Sequence, residues 1–111
     1  MAIEHFKRKE WLSPSDYVLV IVDFDNESKK VIGFCVAQVY VFGETEREVI
    51  RFDSAHDFVH VHRYYQRAKH EGEALQREIS SETAKEFKRQ ILNDWQKYKQ
   101  WFLLKRQNKD I

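Results

Sequence analysis

A change of hydrophobic period near residue 80 divides this chain in two and limits what it can fold into. Upstream lie β-branched and aromatic runs of eight to twelve residues separated by short polar turns, the pattern of strands. Downstream, Ala84, Phe87, Ile91, Trp95, Tyr98 and Phe102 recur at steps of three or four, which places them on one face of a helix. Strands followed by one long helix predict an α+β fold, an antiparallel sheet of three to five strands packed against a C-terminal helix.

The strand half reads most clearly at Tyr17 to Phe24 (YVLVIVDF) and Val31 to Phe42 (VIGFCVAQVYVF). The second run is nearly continuous in apolar character, so a central position covered on both faces is expected, with Gly33 marking a bulge or a close backbone approach. Residues 3–12, with Ile3, Phe6 and Trp11, read as an edge strand. Arg47 to Asp53 and Phe58 to Tyr64 supply further strands, although Val49, Ile50 and Phe52 do not alternate cleanly. The turns at Ser13-Pro14-Ser15-Asp16, at Asp25 to Ser28 and at Gly43 to Glu46 are short enough to make the strands an antiparallel meander. Residues 66–79 read as an exposed connection with a short helical turn at Ala74 to Ile79. Ser80-Ser81-Glu82 then opens a helix running to about Leu104, about 36 Å at 1.5 Å per residue, and closed by Lys105, Arg106 and Lys109. One domain over 1–111 is expected: meander 1–65, connection 66–80, helix 81–105.

At 111 residues a single core is sufficient, and charged residues at 33% describe a well-solvated surface. The single cysteine, Cys35, sits in an apolar run without a histidine or second cysteine beside it, which favours a core thiol in a reducing compartment over a nucleophile. The opening MAIEHFKRKEW lacks the apolar stretch of a signal peptide, and no run approaches 18 apolar residues; a cytoplasmic protein without a membrane partner is expected. Residues 1–65 carry eight Lys/Arg against eleven Asp/Glu, whereas residues 66–111 carry eleven against seven. Lys85, Lys88, Arg89, Lys97 and Lys99 form no single ridge and read as a solvated face.

The candidate chemistry is concentrated in RFDSAHDFVHVHRYY, Arg51 to Tyr65. On an extended strand His60 and His62 share a face, about 7 Å apart, and His56 can fold back from the preceding loop. Three imidazoles, or two with Asp53 or Asp57, would suit one Zn, Ni or Fe(II) ion. The same residues suit metal-free work. Here His56, His60 and His62 would exchange protons, Arg51 and Arg63 would bind a phosphate, and Asp53 and Tyr64 would orient them. A bland reading stands beside both: imidazoles bonded to backbone carbonyls, with Arg51 and Asp53 as a surface ion pair. The metal-free arrangement, with no cofactor, is the expectation carried forward, a divalent ion at His56, His60 and His62 being the alternative. His5 and His70 lie in polar surroundings, and Asp23 and Asp25 read as solvated or turn-capping residues.

The segment R-F-D-x-A-H, here Arg51, Phe52, Asp53, Ala55 and His56, with His60 and His62 behind it, resembles the TumE-type toxins of toxin–antitoxin systems over roughly a third of the chain. That resemblance implies a compact domain with a toxin-like role inside the cell and supplies no chemistry of its own; action on RNA is the reading of the His56, His60 and His62 cluster. The alternative is a non-catalytic module whose aromatic helix binds a protein partner or a second copy. Leu92 and Trp101 widen the apolar stripe, and Trp95, Trp101 and Phe102 are the candidates for a homodimer contact.

Overall fold

The computed structural model describes residues 2–66 and 72–109, with the side chains of His56 and of residues 107–109 outside that description. His70 and part of the expected connection also lie outside the described residues. The chain runs through β1 (Ile3–Ser13), β2 (Asp16–Asp25), β3 (Lys30–Phe42), β4 (Thr45–Asp53), a one-turn 3-10 helix (Ala55–Asp57), β5 (His60–Arg63), β6 (Glu73–Ala74) and α1 (Ser81–Lys109). All six strands form one sheet in sequence order, each antiparallel to its neighbour. The fold is therefore the expected α+β meander with a single long helix.

Local chemistry sets the turns. Ser13 Oγ accepts from the Ser15 amide at 3.0 Å. Asp25 accepts from Ser28 Oγ at 2.8 Å and the Glu27 amide at 3.0 Å, and these bonds hold its carboxyl below the usual range. Besides the irregularity at Leu12 next to the first turn, two bulges adjust the register. Asp23 pairs with Gly33 and Phe24 with Val31, so Ile32 is the extra residue, beside the glycine expected to mark such a site. Gln38 pairs with Ile50 and Val39 with Glu48, so Val49 is extra in β4. That bulge explains the broken alternation: consecutive Val49 and Ile50 are both fully buried.

Helix α1 crosses β2, β3 and β4 and buries Ala84, Phe87, Ile91, Tyr98 and Phe102 against them. Phe87 stacks on Phe52 at 4.1 Å between ring centroids and lies 6.0 Å from Phe34. Two polar contacts fix its position. Gln38 Nε2 donates to the Trp95 carbonyl at 2.9 Å, and Lys99 Nζ reaches the fully buried Asp16 at 2.7 Å. Ser80 Oγ caps the first turn by accepting from the Thr83 amide.

Several expectations are corrected. The sheet has six strands rather than five at most, because Glu73–Ala74 pairs with β5. No helical turn forms over 74–79: the Leu75 amide donates to the Val59 carbonyl, and Leu75 and Ile79 pack on the core. A segment this short gains more from an open strand edge than from nucleating a helix. Strand β3 is central but has the helix on one face only; on the other, Cys35 is half-buried. Phe102 belongs to the core and is no interface anchor, whereas Leu92 and Trp101 remain 39% and 41% exposed. Among the described residues no helix is long and apolar enough to cross a membrane.

Candidate functional site

The β4–β5 ladder pairs Asp53 with His60 and Arg51 with His62. Strand alternation sends Phe52, Val59 and Val61 into the core, leaving the four polar side chains together on the opposite face. The corner between the strands is pinned by Ser54, whose Oγ accepts from the Phe34 amide at 2.8 Å and whose own amide donates to the Phe34 carbonyl. Asp53, His60 and His62 are 7%, 7% and 8% exposed.

The Asp53 carboxylate is the hub. His60 Nε2 lies 2.6 Å from Oδ1, while Arg51 Nε lies 2.7 Å and His62 Nε2 3.9 Å from Oδ2. The Ala55 amide also donates to Oδ1, at 3.3 Å. His60 Nδ1 is 3.2 Å from the Phe58 carbonyl, which can only accept. With a proton on Nδ1 alone, Nε2 turns a lone pair towards Asp53 that a cation would bridge; with the proton on Nε2, the ring donates to Asp53 directly. The His60 and His62 rings are 4.9 Å apart, and Tyr64 stacks on His62 at 5.8 Å with planes 7° apart.

Arg51 does not stand free for an anion. Its Nη1 donates to Glu48 at 3.0 Å while Nε engages Asp53, so it orients the carboxylate. Partial burial disfavours its charge, but Glu48, Tyr64 and Asp53 outweigh that and raise its pKa. Burial, which also disfavours the charged phenolate, raises the Tyr64 pKa. Arg63 lies one step out of phase with the histidines and pairs with Glu73, so it does not join the cluster. The side chain of His56 lies outside the described residues; its backbone belongs to the 3-10 turn. Cys35 pairs across the ladder with Asp53, but burial pushes its thiol up to about 12, which leaves it protonated and unreactive at neutral pH.

Two participants were invisible to pattern reading. Glu48 joins only because the Val49 bulge rotates it to the face of Arg51. Gly72 (φ +90) passes so close to the imidazoles that a Cβ there would sit 2.8 Å from His62 Cε1 and 3.1 Å from His60 Cδ2. In sequence it reads only as a break in a polar connection.

A family model for a domain of unknown function, DUF7718, matches residues 6–108. The chain belongs to that family. The DUF7718 match takes in Glu48, Arg51, Asp53, His60, His62 and Gly72, so the whole cluster lies in the shared domain, whose description names no activity. No curated protein and no solved structure matches the chain.

Proposed function

We propose that this chain is a small metalloprotein whose working centre is one divalent ion held by Asp53, His60 and His62. The observation that carries this reading is the convergence of two imidazoles and one carboxylate, each offering a ligand atom within 4.8 Å of the others. Ligands around an ion at about 2.1 Å lie about 3.0–3.4 Å from one another. The Asp53 contacts of 2.6 Å and 3.9 Å bracket that spacing and the set spreads over no more than 4.8 Å, so side-chain rotations that draw the three atoms together would seat an ion. His60 is oriented as ligating histidines usually are, with its far nitrogen on a backbone carbonyl, and Arg51 orients the carboxylate from behind. Two imidazoles and a carboxylate suit Zn²⁺, Fe²⁺ or Ni²⁺ and leave coordination positions for water, which such an ion activates for hydrolysis.

The test is a Co²⁺ titration of metal-free protein, followed by visible absorption and by calorimetry. One equivalent is expected to bind. Asp53→Asn, His60→Ala and His62→Ala should each weaken it by more than the ~10–100-fold that loss of an outer-shell partner costs, and His5→Ala should leave it unchanged. Binding that ignores all three substitutions sinks the proposal.

A second reading rests on the same 2.6 Å contact. His60 between Asp53 and the Phe58 carbonyl is satisfied as an imidazolium, a proton donor oriented by a carboxylate. In that form the chain is a toxin-like protein acting on RNA without metal. RNA cleavage that persists in excess chelator and is lost in His60→Ala would favour it. A homodimer through Leu92 and Trp101 is compatible with either reading, and sedimentation velocity tests it.

A further inference from the structure

Six strands at about 4.8 Å spacing span about 24 Å, and one helix about 10 Å wide cannot cover them. Helix α1 lies over β2, β3 and β4 and reaches β1 only towards Glu10 and Leu12, so among the described residues no element covers the helix side of the N-terminal half of β1. Between β1 and the first turns of α1 runs a groove of ≈ 500 Å³. Its floor is apolar: Phe6, Val20, Val22 and Ala84. Phe6, a large aromatic residue that lines the groove, is 53% exposed.

The rim is positive on balance. Arg8 borders the groove from β1, and Lys85 and Lys88 from α1, whereas alternation turns the Lys7 side chain to the other sheet face. Lys88 pairs with Glu10 at 2.7 Å. Among the described residues Arg8 and Lys85 have no carboxylate within ion-pair distance, and Glu10, which pairs with Lys88 and also feels Arg8, offsets one of the three cations. An apolar trough whose rim keeps a positive excess, Arg8, Lys85 and Lys88 against Glu10, is complementary to a segment with apolar residues on one side and carboxylates on the other.

We infer that this groove docks an acidic amphipathic helix of another protein, lying beside α1 as the sheet's missing second cover. A second copy presenting its own helix is disfavoured by charge. Over residues 81–106 α1 carries seven Lys/Arg against three Asp/Glu, and would set cations against cations. The groove lies on the opposite sheet face from Asp53, His60 and His62, so the inference stands independently of the metal proposal.

Fluorescence anisotropy tests it with three labelled 18-residue helical peptides: leucines on one face and glutamates on the other, the same pattern with lysines, and a scrambled leucine–glutamate control. The leucine–glutamate peptide should bind at micromolar concentrations and weaken at least tenfold when salt rises from 50 to 500 mM. Phe6→Asp and Lys85→Glu, both at exposed positions, should each weaken it about tenfold while circular dichroism stays that of the wild type. Three results would overturn the inference. One is equal binding of the lysine and glutamate peptides; another is no binding of either. The third is a dimer in sedimentation equilibrium that Phe6→Asp dissolves, which would give the groove to a second copy.

Discussion

Replacing Gly72 with alanine separates a steric role from an ordinary conformational one, because Gly43 supplies a matched control. Both glycines have positive φ, +90 and +60. At Gly43 an added methyl meets nothing within 4 Å, so Gly43→Ala carries only the backbone term. That term is about 1–2 kcal/mol for a side chain at positive φ, partly offset by about 0.4–1 kcal/mol from the stiffer unfolded chain. Gly72→Ala carries the same two terms and also drives a methyl to 2.8 Å from His62 Cε1 and 3.1 Å from His62 Nε2. Those atoms belong to rings held between strands rather than to the ends of flexible chains, so relief requires the imidazoles or the backbone to shift. Overpacking of this kind costs about 1–3 kcal/mol. The two variants should therefore differ by about 1–3 kcal/mol, or about 4–12 °C in Tm for a domain of this size. Differential scanning fluorimetry of both variants, with and without Co²⁺, reads the difference. Gly72→Ala should also lose most of the metal-induced rise in Tm, and Gly43→Ala should keep it. Equal Tm values would show that the backbone at Gly72 does not rest on the histidines, and the geometric argument would fail.

Three further outcomes follow from the packing. Phe87→Ala removes the ring stacked on Phe52 and should cost about 3–5 kcal/mol by urea denaturation; a loss below about 1 kcal/mol would contradict its place in the core. Lys99→Met leaves the fully buried Asp16 without its cation and should cost about 3 kcal/mol, the low end for a broken buried pair because solvent reaches Lys99. Adding Asp16→Asn should recover part of that loss, and no recovery would mean the charge was not the cause. The raised Cys35 thiol sets an alkaline limit. Its folded pKa exceeds the unfolded value, so its contribution is intact below about pH 9 and is lost as pH rises towards 12. Cys35→Ala should flatten the fall of Tm over that window, and native alkylation at pH 8 should be far slower than in urea; equal rates would refute the burial.

The periodicity of the residues was enough to place β2, β3, the turns that flank them and the buried stripe of α1, because each depends on neighbours within a turn or a pleat; the spacing of Ile3, Phe6 and Trp11 in β1 fits neither period cleanly, and pairing with β2 decides that strand. It was also enough to put His60 and His62 on one face, since strand alternation needs no partner. Polarity was a poorer guide to the connection, where Glu73–Ala74 adds a strand and Leu75 and Ile79 reach the core. The makeup of the cluster depended on register, a property of pairs of strands rather than of either alone. The Val49 bulge turned Glu48 towards Arg51 and so gave Arg51 to two carboxylates instead of to an anion. The β4–β5 pairing set Asp53 opposite His60, while the phase of β5 sent Arg63 away to Glu73. Gly72 came to rest on both imidazoles only because β6 closes the sheet edge beside them. Local sequence specifies which way a side chain points from its own strand; which groups it meets there is decided by the pairing of distant segments, whose offsets are set by bulges and loop lengths that no local period encodes.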